Sequence, residues 1–208
     1  MDILINVPIK LLVELVFFCK LHIIFDNFKL RHICVFSINK LMKSKENIVF
    51  LGMMGSGKTS IGFLVSKKLK IKFFDIDHLI EKELNMSISE IFETKGEKFF
   101  RDFEEKITLK ILKKKQIIVA LGGGSFLNKK IRTEVLNNHI SIWLKLDIKT
   151  LIKRVRNNSK RPIVSRSTNE ELIDLIKSRT HFYSKALYKI NCSNLKKYEI
   201  VNKVLRKI

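Results

Sequence analysis

The stretch Gly52-Met53-Met54-Gly55-Ser56-Gly57-Lys58-Thr59 satisfies the pattern G-x-x-x-x-G-K-[ST] at every position. Residues of these types at this spacing hold phosphate. Glycines let successive backbone N–H groups converge on phosphate oxygens, and the positive end of the following helix adds to their pull. Lys58 is placed to reach β- and γ-phosphates, and the Thr59 hydroxyl to ligate Mg2+. Gly55, Ser56, Gly57 and Ser60 complete the set expected to cradle the phosphates of a nucleotide. A glycine-rich turn that joins a strand to a helix and holds nothing is the competing explanation.

Three other groups have chemical potential. Asp75 and Asp77 follow Lys72-Phe73-Phe74 at the C-terminal end of a strand, where open parallel sheets bind ligands. One residue apart on an extended segment, they point to opposite sides, one toward a metal and one toward a substrate hydroxyl. A carboxylate acting there as general base is worth about 10²–10⁴ in rate. The same two acids also suit an N-cap pair opening a helix at His78. Glu97, Arg101, Glu104 and Glu105 share a helix face at i, i+4 spacing, as a recognition group or as a solvated ion-pair network. Gly122-Gly123-Gly124 ends another strand, offering N–H groups to an oxyanion or hydroxyl, or simply turning the chain. Six of the eight glycines lie in these two loops, so backbone there must approach something closely or take positive φ.

The elements that position these groups follow from periodicity. Asn47–Leu51 reads as a short buried strand, and Lys58–Lys70 as a helix with Ile61, Leu64, Val65 and Leu69 on one face. A strand at Lys72–Phe74, helices to about Lys115 and a strand at Gln116–Leu121 come next. A helix near 129–137, a strand at Ile140–Leu146 and a helix at 147–156 follow. Asn157 to Thr168, with Pro162, reads as a loop. A helix from Glu170 to about Leu187, a strand near Lys189–Cys192 and a terminal helix close the chain. Alternating strands and helices predict an α/β three-layer αβα sandwich around a parallel five-stranded sheet.

The chain has 208 residues, enough for one well-buried domain. Residues 1–46 are apolar, mildly basic and free of glycine, and they read as an extension outside the core domain, 47–208, with Met42 the preferred start. The run Leu11–Cys19 is broken by Glu14 and ended by Lys20, too short to span a bilayer. Asp2, Glu14 and Asp26 argue against a transit peptide. Net charge is +21, yet only nine of the 41 basic residues are Arg, and Lys is spread over every helix. That dispersal argues against nucleic-acid binding, which needs a clustered basic face. Cys19, Cys34 and Cys192 are odd in number and widely spaced, which fits neither a disulfide framework nor a zinc site and favours a reducing compartment.

Taken in order, these motifs resemble the shikimate kinase family. The likeness rests on the phosphate loop, on F-x-D-x-D-x-x-I-E ending at Glu81, and on G-E-x-x-F-R-x-x-E from Gly96 to Glu104. It continues with L-G-G-G at Leu121–Gly124, Arg161-Pro162 and Arg179-x-x-x-Tyr183, and covers Asn47 to the C-terminus. The resemblance implies transfer of the ATP γ-phosphate to the 3-hydroxyl of shikimate, on the route to aromatic amino acids. By that resemblance Asp77 holds the acceptor hydroxyls as base or orienting group, and Arg101 and Arg179 grip the substrate carboxylate. Gly123 gives a backbone contact to the substrate, Asp75 holds Mg2+ through water, and Glu104 supports Arg101. Arg154 lies over the adenine, and Arg161 descends with a lid near 156–168, opposite substrate-binding helices at 76–110. A cytoplasmic monomer is implied, with ATP and shikimate as its small-molecule partners and neither membrane nor nucleic acid. Four of the nine arginines, Arg101, Arg154, Arg161 and Arg179, fall on these positions, where Lys would supply charge without the bidentate fork. Phe63 stands where the family often has Arg, at a peripheral position. Gluconate or nucleoside monophosphate kinases, which share the fold and the loop, remain rivals. So do a non-catalytic nucleotide binder and a basic nucleic-acid binder.

Overall fold

Short runs of apolar sequence build the sheet: β1 (Ile48–Leu51), β2 (Lys72–Asp75), β3 (Ile117–Ala120), β4 (Ile140–Lys145) and β5 (Tyr188–Asn191). In this computed structural model the described residues are 47–156 and 167–208, so the expectations for residues 1–46, Arg161 and Pro162 lie outside them. β1 and β3 are buried along their whole length, because helices cover both faces. All strands are parallel, in the order β2-β3-β1-β4-β5. The phosphate loop therefore leaves the central strand. The αβα architecture anticipated from periodicity is the one observed.

Eight helices lie among the described residues: α1 (Lys58–Leu69), α2 (Ile76–Leu84), α3 (Ile88–Thr94), α4 (Gly96–Leu112), α5 (Lys129–Asn138), α6 (Ile148–Arg156), α7 (Asn169–Tyr183) and α8 (Lys197–Leu205). Their starts are largely written in side chains. Asp75, Ser87, Asn128 and Thr168 each accept from a first-turn N–H, and Ser87 and Thr168 do so in full capping boxes with Glu90 and Glu171. α1 is different. Gly57 precedes it at φ 94°, and no side chain among the described residues caps it.

Two boundaries differ from expectation. α2 begins at Ile76, so Asp77 sits in its first turn and not on an extended segment. α7 ends at Tyr183, because Ser141 Oγ accepts from Leu187 N at 2.9 Å and draws the chain into β5. Asn47 joins three elements: its Nδ2 donates to the carbonyls of Leu112 and Lys114 at 3.0 and 2.7 Å, and its Oδ1 accepts from Ile117 N at 3.2 Å.

Candidate active site

The phosphate loop has the backbone its sequence demands. Gly55 and Gly57 take φ of 76° and 94°, in the left-handed region that glycine enters at little cost. Lys58 is 9 % exposed, and its Nζ donates to the carbonyls of Gly52 and Met53 at 2.9 and 3.1 Å. The cleft over the loop is lined by Gly55 through Ser60 and by Asp75. Arg154 reaches it from α6, where Nη1 donates to the Gly55 carbonyl at 3.4 Å. Leu195, Lys197 and Ile200 form its far wall. These three were missed in the sequence, although they follow a strand's C-terminal end, where such clefts form.

Asp75 does both of the things its sequence left open. Its Oδ1 accepts from His78 N at 3.3 Å as the cap of α2, while its Oδ2 accepts from Thr59 Oγ1 at 2.5 Å. Asp77, two residues on, turns to a second cavity, which it shares with the phosphate-loop cleft. That second cavity carries two guanidinium groups beside two carboxylates, Asp77 and Glu104. Arg101 enters from α4 and Arg179 from α7, with Glu104, Gly123 and Gly124 beside them. Ile88, Phe92 and Phe100 supply an apolar wall that the motifs alone did not point to.

The face read as a possible solvated network is partly buried. Arg101 donates to Glu97 Oε1 through Nη2 at 3.1 Å and to Glu104 Oε2 through Nη1 at 2.9 Å. Glu104 is only 2 % exposed. Burial raises its carboxyl above the ordinary range, against the pull of Arg101 and Ser125 and with the repulsion of Asp77. Burial lowers Arg101, but Glu104 and Glu97 outweigh it, so the guanidinium holds its proton more tightly than usual. Glu105 belongs elsewhere. It accepts from Lys130 Nζ and Asn128 Nδ2, both at 2.7 Å, because position 105 faces α5.

Arg179 is a buried cation with little to answer it. It is 5 % exposed, and among the described residues no carboxylate forms an ion pair with it. Nη1 donates to the Gly123 carbonyl at 3.3 Å, while the buried Nε has no hydrogen-bond partner among the described residues. Burial lowers its proton affinity, and Arg101 nearby lowers it further. Tyr183, one turn on, donates its hydroxyl to the same Gly123 carbonyl. Burial pushes that hydroxyl up to about 12.

The triple glycine answers to crowding, since none of the three takes positive φ. A Cβ on Gly124 would lie 2.6 Å from Arg101 Nη1, and one on Gly122 would lie 2.7 Å from Asp77 Oδ1. Phe63 lies half exposed on α1, edge-on to Phe73 at 6.3 Å and outside both cavities, as a peripheral position should. The expected contact of Arg161 falls outside the described residues.

The sequence profile for shikimate kinase matches residues 54–208. The chain belongs to the shikimate kinase family. It is 37% identical over 182 residues to a shikimate kinase of Bartonella henselae, an alignment covering 86% of this chain and 87% of that one. With the Bacillus subtilis shikimate kinase it shares 41% over 163 residues, covering 77% and 88% respectively. Among solved structures it resembles a shikimate kinase from Acinetobacter baumannii in complex with shikimate, with TM-score 0.75 and 29% identity, covering 81% of this chain and 95% of that one. The two cavities thus lie in a shikimate kinase framework. Among the described residues no helix is long and apolar enough to cross a membrane.

Proposed function

We propose that this protein transfers the γ-phosphate of ATP to the 3-hydroxyl of shikimate, giving shikimate 3-phosphate and ADP. The observation that carries the reading is the juxtaposition of a phosphate loop with a cavity holding two guanidinium groups, joined at Asp77. Arg101 has two carboxylate partners, yet Arg179 is buried with an unanswered Nε, an arrangement that suits one incoming carboxylate. Guanidinium groups grip phosphate as well as carboxylate, so what favours shikimate over a nucleoside monophosphate is the family likeness together with the apolar wall. The apolar wall of Ile88, Phe92 and Phe100 fits the carbon ring of a hydroxy acid.

In this mechanism the phosphate loop, Lys58 and Ser60 hold the nucleotide, with Arg154 over its base. Arg101 and Arg179 hold the shikimate carboxylate, Gly123 contributes its backbone, and Asp77 takes the hydroxyl proton as the oxygen attacks phosphorus. The new P–O bond forms as the bond to the β-phosphate oxygen breaks, and Lys58 stabilises the charge that gathers on the transferred group. Arg161 is assigned to the same phosphates by family resemblance alone. Mg2+ fits the hydroxyl and carboxylate that meet at Thr59 and Asp75, since it prefers hard oxygen donors. Thr59, with Asp75 through water, would hold it, and when bound it neutralises phosphate charge. A reducing compartment such as the cytoplasm suits a chain whose Cys192 is free and buried.

The test is coupled ADP release from the full chain with MgATP, with and without shikimate. Turnover is expected with shikimate and absent with gluconate or nucleoside monophosphates. Equal rates with every acceptor, or with none, would reject the assignment. Gly124→Ala gives a second check. Gly124 has φ of −104°, which alanine adopts freely, so the added methyl acts mainly by displacing the Arg101 fork. Losing one charge-assisted hydrogen bond predicts a rise in shikimate KM of about 10- to 100-fold. The KM for ATP should stay near the parent value, and the melting temperature should fall as the Arg101–Glu104 pair is strained; a parallel rise in both KM values would place Arg101 outside acceptor recognition.

A further inference from the structure

Ser125 opens the 3-10 turn after the triple glycine and is completely buried. Its backbone N–H donates to the Gly122 carbonyl at 3.2 Å, which is sufficient to form the turn. Its hydroxyl makes a separate contact, donating to Glu104 Oε1 at 2.6 Å, the short distance of a charge-assisted bond. The other oxygen of Glu104 accepts from Arg101 Nη1 at 2.9 Å. A carboxylate held at both oxygens cannot rotate, so it fixes the plane of the guanidinium it meets. The other carboxylate on Arg101 is Glu97, whose side chain is 63% exposed and open to competition from water.

We infer that Ser125 is a positioning residue for the acidic substrate, setting through Glu104 the direction in which Arg101 presents its fork. The need for it lies in the crowd over Gly122. A Cβ there would touch Glu104 Oε1 and stand 2.7 Å from Asp77 Oδ1, so two carboxylates from different helices converge on one small space. Arg179 and Tyr183, on α7, also interact with the same carboxylate through space. Without the Ser125 hydroxyl, Oε1 loses its hydrogen bond while the repulsion of Asp77 remains, and Glu104 must turn or take a proton. Either response loosens Arg101. The inference rests on Arg101 as a carboxylate-binding group, and it adds a residue that no motif in the sequence singled out.

The test is steady-state kinetics of the full chain carrying Arg101→Lys, Ser125→Ala, Glu104→Gln, and the last two together. Arg101→Lys examines the underlying reading: a selective rise in shikimate KM supports it, and no rise defeats it. Given that rise, Ser125→Ala is expected to raise shikimate KM by about 5- to 50-fold, with kcat and ATP KM within about twofold of the parent. Adding Ser125→Ala to Glu104→Gln should change shikimate KM no further, because both act through one carboxylate. If Arg101→Lys behaves as expected while Ser125→Ala leaves shikimate KM unchanged, raises both KM values equally, or multiplies the Glu104→Gln effect, the inference alone is overturned. Should Ser125→Ala fail to fold, Ser125→Cys is measured in its place. The thiol is of similar size and a weaker donor, so a smaller selective rise is expected, and parental shikimate KM would overturn the inference.

Discussion

Replacing Lys58 with Met is expected to lower kcat by about 10³-fold or more while the protein stays folded. Met preserves the length and apolar stem of the side chain and removes only the ammonium group. In the structure that group donates to the carbonyls of Gly52 and Met53, within a loop that opens directly onto the first turn of α1. Its loss withdraws a positive charge from the path of the transferred phosphoryl group, where water is scarce and electrostatic interactions are strong. Two loop carbonyls also lose a donor, a cost of about 1–3 kcal/mol that should appear as a modest drop in melting temperature. Coupled ADP release and a thermal melt together separate the two effects. A Lys58→Met enzyme within tenfold of parental turnover would remove Lys58 from the chemistry.

Asp77→Asn should be nearly as severe, lowering kcat by about 10²–10⁴-fold with little change in stability. The substitution keeps shape and alters only charge and proton acceptance. Asp77 is the acid that lines both cavities, so it stands where a hydroxyl from one meets a phosphate from the other. Its place in the first turn of α2 adds a favourable dipole interaction of about 0.3–1 kcal/mol, which Asn forfeits. Shikimate binding, followed through the fluorescence of the single tryptophan, Trp143, should survive the change. That residue lies against Tyr183, with ring centroids 6.1 Å apart, close enough to sense the acceptor cavity. Turnover near the parental rate would show that Asp77 neither takes nor orients the proton.

Much of this was legible before any coordinates. The phosphate loop carries its own geometry, because only glycine tolerates the φ of 76° and 94° found at Gly55 and Gly57. Strand order, by contrast, is a long-range property, and no local pattern placed β3 between β1 and β2. The misreading of Asp77 has a simple cause. Strand alternation does not extend the two residues past Asp75 to Asp77, because the side chain of Asp75 already caps the helix. The glycines at 122–124 were legible as a place of close approach but silent about what approaches. Their neighbours, Glu104, Asp77 and Arg101, come from helices 18 or more positions away, and only tertiary structure brings them together. Ser125 escaped for the same reason: a lone serine after glycines reads as turn chemistry until its partner is seen.

The central position of β1 has a further consequence for how such an enzyme can change. Residues proposed to recognise the acceptor come mainly from the segments after β2 and β3, and those proposed to hold the nucleotide from the segments after β1, β4 and β5. The sheet is thus divided into an acceptor half and a donor half, with the reacting phosphoryl group over the boundary. A lineage, or an engineer, could retarget the acceptor by rewriting one flank while the other continues to serve the same fuel. Arg179 is the exception. It lies on α7, between β4 and β5, yet reaches across into the acceptor cavity. A redesign confined to the acceptor flank would leave that buried cation in place, so retargeted descendants of this plan should remain biased toward anionic substrates.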